Sequence, residues 1–220
     1  MTKCIAIDTS TRRFCLGAKN GNDYIDMSSD KTTDHAKEIF KKIDHALKCA
    51  DITIRELDFL AVGIGPGRFS GLRVSISAIK SISYVLNIPI IAISSLEFIA
   101  KEIMDQNDVD RILLIEDAGR GNLYLGAYAL KDQECIRISD DQVRHTEEMK
   151  ISDTDGLIIG SGLIRYPEMK INSNSMLREP GEVYLNSKTL IDHALEEFKK
   201  GNTIDCMSLK PNYLFDEVAN

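Results

Sequence analysis

A chain of 220 residues, 43% of them hydrophobic, is long enough to bury one large core or two small ones, and its apolar runs fall well short of a membrane span. A net charge of −7 with no basic run argues against a surface that grips nucleic acid unaided. Five scattered cysteines (Cys4, Cys15, Cys49, Cys135, Cys206) never form a Cys-x-x-Cys pair, so they make neither a disulfide framework nor a zinc site and read as small apolar residues.

The opening Met1-Thr2-Lys3-Cys4-Ile5 lacks the long apolar core and small-residue cleavage site of a signal peptide, and a cytoplasmic location is expected. Lys3–Asp8 reads as a strand. Phe14–Ala18 and Asp23–Met27 flank Asn20-Gly21, a strong hairpin signal. Thr33 or Asp34 can cap a helix over 34–50, where Ala36, Ile39, Phe40, Ile43, Ala46, Leu47 and Ala50 recur every three or four residues. Leu57–Ile64 is the next strand.

Behind it stands Gly63-Ile64-Gly65-Pro66-Gly67-Arg68-Phe69-Ser70-Gly71-Leu72-Arg73. Glycine opens backbone angles that other residues resist, and proline fixes its own φ, so such a loop is rigid and closely approachable. A phosphate loop needs a lysine after its second glycine, and Gly63-x-Gly65 meets Arg68 where a dinucleotide fingerprint has a third glycine. Arg68 also replaces the first glycine of a Gly-x-Ser-x-Gly elbow around Ser70. By spelling alone a tight strand-to-helix connection is favoured over an anion site at the free N–H groups of the helix start.

Leu72–Leu86 fits a strand alternation and a helical face; its length and the stop at Asn87 and Pro89 favour helix. Ile90–Ile93 is a short buried strand. Ser94 and Glu97 have the spacing of a capping box, with a helix to about Met104. Polar Asp105–Asp108 is a candidate boundary between an N-terminal lobe, 1–104, and a C-terminal lobe, 105–220. Arg111–Glu116 opens the second lobe, Leu123–Leu130 pairs with Glu134–Ile138, and Leu157–Ile159 ends in Gly160-Ser161-Gly162. A helix follows around Leu190, Ile191, Ala194, Leu195 and Phe198, and the tail Pro211-Asn212-Tyr213-Leu214 is placed to pack back on the N-terminal lobe. Each half starts with a strand, adds an antiparallel pair and then helices, which suggests two related α/β lobes.

Ile5-Ala6-Ile7-Asp8-Thr9-Ser10, His35-Ala36-Lys37-Glu38, Val62–Arg73, Pro89–Leu96 and Pro211-Asn212-Tyr213-Leu214 together resemble the TsaB (YeaZ) family. The match is dense over about the first hundred residues and thin afterwards. The resemblance implies the actin-like, Hsp70-type ATPase (ASKHA) fold, α/β with two lobes, each a twisted mixed sheet with helices. It implies a non-catalytic subunit that binds and activates a TsaD-like catalytic subunit, with a TsaE-like ATPase in the complex. That complex adds threonylcarbamoyl to adenosine 37 of tRNAs reading codons that start with A. It further implies a homodimer when the chain is alone, contact with tRNA only through the complex, and no membrane partner.

Asp8-Thr9-Ser10 stands where the superfamily keeps its first phosphate turn, Asp117-Ala118-Gly119 at the second, and Gly160-Ser161-Gly162 resembles the adenosine loop. All three are reduced, so Asp8, Thr9, Ser10, Gly65, Gly67, Gly160 and Gly162 read as a vestigial nucleotide or anion site, and no cofactor is expected. TsaD binds metal through histidines four apart on a helix; here His35 is followed by Ile39, so no metal is expected. The partner-facing set implied by the resemblance is His35, Ile39, Lys42 and Ile43 with Leu72, Ser75, Ile76, Ile79 and Ser83. Phe40 with Leu47, and Ile82 with Val85, widen the apolar arcs of the two helices beyond one buried stripe. The alternatives are a metal-dependent glycoprotease-like peptidase and a small ATPase of the same fold.

Overall fold

The computed structural model describes residues 1–29, 35–132, 134–149, 151–152, 156–169, 171–172, 176–177 and 186–215. The helix-capping reading at Thr33 and Asp34 lies outside them. β1 (Lys3–Asp8) is apolar on both faces because it runs mid-sheet, and Cys4, Ile5, Ala6 and Ile7 are fully buried. β2 (Cys15–Asn20) and β3 (Asp23–Asp26) complete a meander, with Asn20 opposite Asp23 and Gly21 at φ +59° in the turn between them. α1 (His35–Cys49) then leads to β4 (Phe59–Gly63), parallel to β1, and α2 (Phe69–Leu86) to β5 (Ile90–Ile93), parallel to β4. Parallel neighbours need such crossovers. The sheet order is β3-β2-β1-β4-β5.

α2 ends where Asn87 turns left-handed at φ 55° and returns its N–H to the Ser83 carbonyl. α3 (Ser95–Asn107) continues through Asp105–Asn107, the stretch expected to be a loop, and stops at Asp108 with φ 53°. Ion pairing of Lys101 with Asp105 at 2.6 Å and hydrogen bonds from Gln106 to Glu102 and from Asn107 to the Ile103 carbonyl keep this polar turn helical.

β6 (Arg111–Gly119), β7 (Asn122–Lys131) and β8 (Glu134–His145) form a second antiparallel meander. β8 extends well beyond Ile138. As an edge strand it buries only Asp141, whose carboxylate accepts from the Tyr128 hydroxyl at 2.5 Å, so its sequence lacks apolar alternation. β9 (Ile151–Ser152), β10 (Leu157–Ile159), α4 (Ser161–Arg165), β11 (Ile171–Asn172) and β12 (Met176–Leu177) follow. β10 runs parallel to β6 and to β12, giving the order β12-β10-β6-β7-β8, while β9 and β11 pair separately. The two sheets thus share one topology: a meander whose first strand is extended by two parallel strands. Ile115, Leu123 and Ile158 centre the second core.

α5 (Ser187–Lys199) packs on the first sheet, and Ile204 bridges to Ile90. The chain divides into two compact units: Met1–Phe98 with Leu185–Asn212, and Ile99–Tyr184 with Tyr213–Asn220. The last helix is counted with the first unit, and the division falls within α3 rather than in a loop at 105–108.

Candidate functional site

At the end of β1 the Asp8 side chain is fully buried. Its Oδ1 accepts from the Ser10 N–H at 2.7 Å and the Ser10 hydroxyl at 2.6 Å, and its Oδ2 accepts from the Ser95 hydroxyl at 2.6 Å. Ser95 Oγ also accepts from the Gly65 N–H at 2.9 Å. The turn therefore joins β1, the glycine loop and the start of α3. Thr9 Oγ1 donates to the Gly71 carbonyl at 2.7 Å, and the Arg68 N–H donates to the Ser10 carbonyl at 2.7 Å.

The glycines are explained by this closeness. A Cβ at Gly63 would stand 1.7 Å from Asp8 Oδ2, and one at Gly67 would stand 2.6 Å from the Ser10 carbonyl oxygen. Gly65, at φ +95°, precedes Pro66 through a cis peptide bond. Asp8, Thr9, Ser10, Gly65 and Gly67 thus come together, with loop backbone packed directly on turn backbone. Ser95, which holds the Asp8 carboxylate, is missing from the expected site residues; its signals in the sequence are its place in Pro89–Leu96 and a second serine at the start of a predicted helix.

Burial raises the Asp8 carboxyl above its ordinary 3.8, against the lowering effect of its Ser10 and Ser95 hydrogen bonds. The folded state then takes up its proton at higher pH than the unfolded chain. The associated stability is full below 3.8 and is lost as pH rises through the folded value. Asp8→Asn should therefore flatten the fall in melting temperature as pH rises above the ordinary carboxyl value of 3.8. Thermal melts across that range decide it; an unchanged slope would remove Asp8 as its source. Burial likewise pushes the Cys4 thiol up to about 12 and raises Cys15, which suits inert core residues.

Gly160 and Gly162 lie in the second unit, where Gly160, at φ +140°, begins α4. A Cβ there would stand 2.1 Å from the Ile115 carbonyl oxygen, and one at Gly162 2.6 Å from Leu123. Between them Ser161 donates through Oγ to the Glu116 carboxylate and accepts from the Asp117 N–H at 3.0 Å. Burial raises the Glu116 carboxyl. Among the described residues no three His, Cys, Asp or Glu side chains gather as a metal cage, and no helix is long and apolar enough to cross a membrane.

The residues expected to face a partner are distributed differently from the expectation. Ile39, Ile43, Leu72, Ser75, Ile76, Ile79 and Ser83 are all buried within the chain, since α1 and α2 pack against each other and against the first sheet. His35 begins α1, and Lys42 lays its ammonium over the Phe14 ring at 4.1 Å. Leu47 and Ile82 are buried too. The outward apolar groups of these helices are Phe40 (54% exposed), Phe69 (53%), Tyr84 (70%) and Val85 (73%). Arg73 covers the Phe69 ring at 3.7 Å. The serines of α2 divide likewise, with Ser75 and Ser83 inward and Ser77 and Ser81 outward.

A family model described as "TsaD: tRNA N6-adenosine threonylcarbamoyltransferase" matches residues 29–177. Similarity along the whole chain is to proteins named "tRNA threonylcarbamoyladenosine biosynthesis protein TsaB". That of Escherichia coli is 25% identical over 99% of this chain and 96% of its own length, and that of Buchnera aphidicola subsp. Schizaphis graminum 26% over 89% and 94%. The chain belongs to the TsaB (YeaZ) branch of the TsaD family. A Pseudomonas aeruginosa crystal structure described as similar to peptidase YEAZ superposes with a TM-score of 0.88 at 22% identity, covering 97% of this chain and all of that one. That likeness concerns the fold, the two-lobed α/β architecture that the resemblance implied.

Proposed function

We propose that this chain is the non-catalytic scaffold subunit of the machinery that adds threonylcarbamoyl to adenosine 37 of tRNAs reading codons that start with A. It works in the cytoplasm, holds a TsaD-like catalytic subunit in its competent state by binding that state preferentially, and is joined there by a TsaE-like ATPase. Alone, it pairs with a second copy of itself, and tRNA meets it only through the complex. The observation that carries the reading is whole-length TsaB similarity in a chain whose α1 and α2 leave Phe40, Tyr84 and Val85 outside. Large exposed apolar side chains on packed helices suit a protein interface. Ile39, Ile43, Leu72, Ile76 and Ile79 support that face from beneath.

The test is size-exclusion binding to the TsaD-like subunit from the same source, together with its tRNA-modifying activity. Tyr84→Asp combined with Val85→Asp should weaken the complex at least about 30-fold while leaving the melting temperature of the free chain within a few degrees of the parent's. Ile76→Asp serves as the contrast. It buries a carboxylate and should yield no folded monomer, so it reports on the core and not on the interface. Unchanged binding by the Tyr84/Val85 variant would move the docking face elsewhere.

A further inference from the structure

Cys4 and Cys15 are buried and Cys135 and Cys206 partly so, whereas Cys49, in the last turn of α1, is exposed and departs from the reading of the cysteines as small apolar residues. One turn before it stands His45, also exposed, with its Nε2 3.9 Å from Cys49 Sγ. Residues four apart share a helix face, so the two side chains meet over one patch of surface. The opposite side of α1 is anchored by Ile43, Ala46, Leu47 and Ala50, all buried, and the Ala50 carbonyl accepts from the Asn20 amide at 2.9 Å. The pair therefore stands on fixed backbone. Cys49 follows Phe40 by about two and a half turns, which puts the pair on the other flank of α1 from that exposed ring.

We propose that His45 and Cys49 chelate a borderline-soft transition-metal dication of the Zn²⁺ class, through Nε2 and the Sγ thiolate, with water in the remaining positions. Imidazole and thiolate are the donors such ions prefer, whereas Ca²⁺ and Mg²⁺ take oxygen. Zinc bonds of about 2.0 Å to nitrogen and about 2.3 Å to sulfur, at a tetrahedral angle, set the two donors about 3.6 Å apart. The observed 3.9 Å is a small side-chain rotation from that distance. On binding, the thiol gives its proton to solvent, a metal–sulfur bond forms, and one charge of the ion is neutralised. A nucleophilic cysteine fits less well: the negative end of the helix dipole disfavours a bare thiolate here, while a bound cation supplies the countercharge. Lys48, beside Cys49, is matched by Asp44 at 2.6 Å, and Lys41, one turn before His45, is the local charge that opposes a cation. Two protein donors make an exchangeable site, since structural zinc takes four. Metal binding here needs no part of the docking face.

The test titrates the full, untagged chain with Zn²⁺ by calorimetry and with Co²⁺ as a spectroscopic stand-in, under a non-thiol reductant. The expected result is one ion per chain and a near-ultraviolet sulfur-to-cobalt charge-transfer band. His45→Gln and Cys49→Ser should each weaken binding at least about tenfold, and Cys49→Ser should abolish the band. Lys41→Glu, which sets a carboxylate one turn from His45 in place of the opposing charge, should tighten binding about tenfold. All three positions are exposed, so melting temperatures without metal should stay within a few degrees of the parent's. Binding that survives in the His45→Gln/Cys49→Ser double variant would place the metal on other residues and overturn the proposal. Absence of the charge-transfer band from the parent chain at a saturating excess of Co²⁺ would overturn it as well.

Discussion

Gly71→Ala is expected to destabilise the protein by about 3 kcal/mol and to lower its melting temperature by about 10 °C. Helix propensity alone predicts the opposite, a gain of up to about 1 kcal/mol from alanine within α2. The packing decides the sign. A Cβ at Gly71 would stand 1.9 Å from the Thr9 carbonyl oxygen, a backbone atom with no side-chain freedom to yield. That backbone is tied to the same place by the Thr9 hydroxyl, which donates to the Gly71 carbonyl at 2.7 Å. Separating the two segments would also pull on the Arg68-to-Ser10 bond at 2.7 Å. Urea or thermal unfolding measures the effect, with exposed Ser77→Ala as the helix-propensity control. A melting temperature at or above the parent's would mean that the turn and the loop part freely.

Removing the last helix should have the largest effect of all. A chain that stops before Asn186 is expected to lose cooperative unfolding of the first unit. α5 covers the β1–β5 sheet, with Leu190, Ile191 and Ala194 fully buried and Phe198 stacked on Phe59 at 4.6 Å between ring centroids. Gly17 has no side chain so that Ser187 can sit against β2, where Ser187 Oγ donates to Asp26 at 2.6 Å. The Tyr24 hydroxyl reaches Asp192, and His193 stands 3.2 Å from Glu97. Burial of each large aliphatic side chain stabilises by about 2 kcal/mol, and the sheet face uncovered with them adds more, against a net stability of about 5–15 kcal/mol for a typical domain. Leu190→Ala in the full chain gives the graded version, a loss of about 3 kcal/mol with folding retained. Far-ultraviolet circular dichroism on heating measures both. A truncated chain that melts sharply at the parent's temperature would make α5 dispensable.

The sheets were legible in the sequence because several of their strands are plainly apolar: Lys3–Asp8, Ile90–Ile93 and Leu157–Ile159 have the bounds that pattern alone predicts. The end of β8 was not, because an edge strand with one buried carboxylate has no hydrophobic period to read. Asp105–Asn107 misled because polar composition signals a loop only until side-chain pairs along a helix satisfy it. For the glycine loop, spelling identified a tight connection, while its cause, contact with Thr9 and Ser10, is a relation across some sixty residues of sequence. Among the residues expected to face a partner, period predicts the two helices but not their orientation. Apolar positions such as Ile76 and Val85 look alike in sequence, and only the packing of α2 on α1 and the first sheet decides that one is 6% exposed and the other 73%.

The return of α5 to the first unit sets an order of events during synthesis. The segment Ile99–Tyr184 is synthesised before Ser187–Lys199, yet the first unit needs that helix to close its core. The half encoded first thus closes only after most of the other half has been made. Until the final residues emerge, the uncovered face of its sheet is the surface that chaperones would meet, and a nascent chain stalled before Asn186 should be their preferred client.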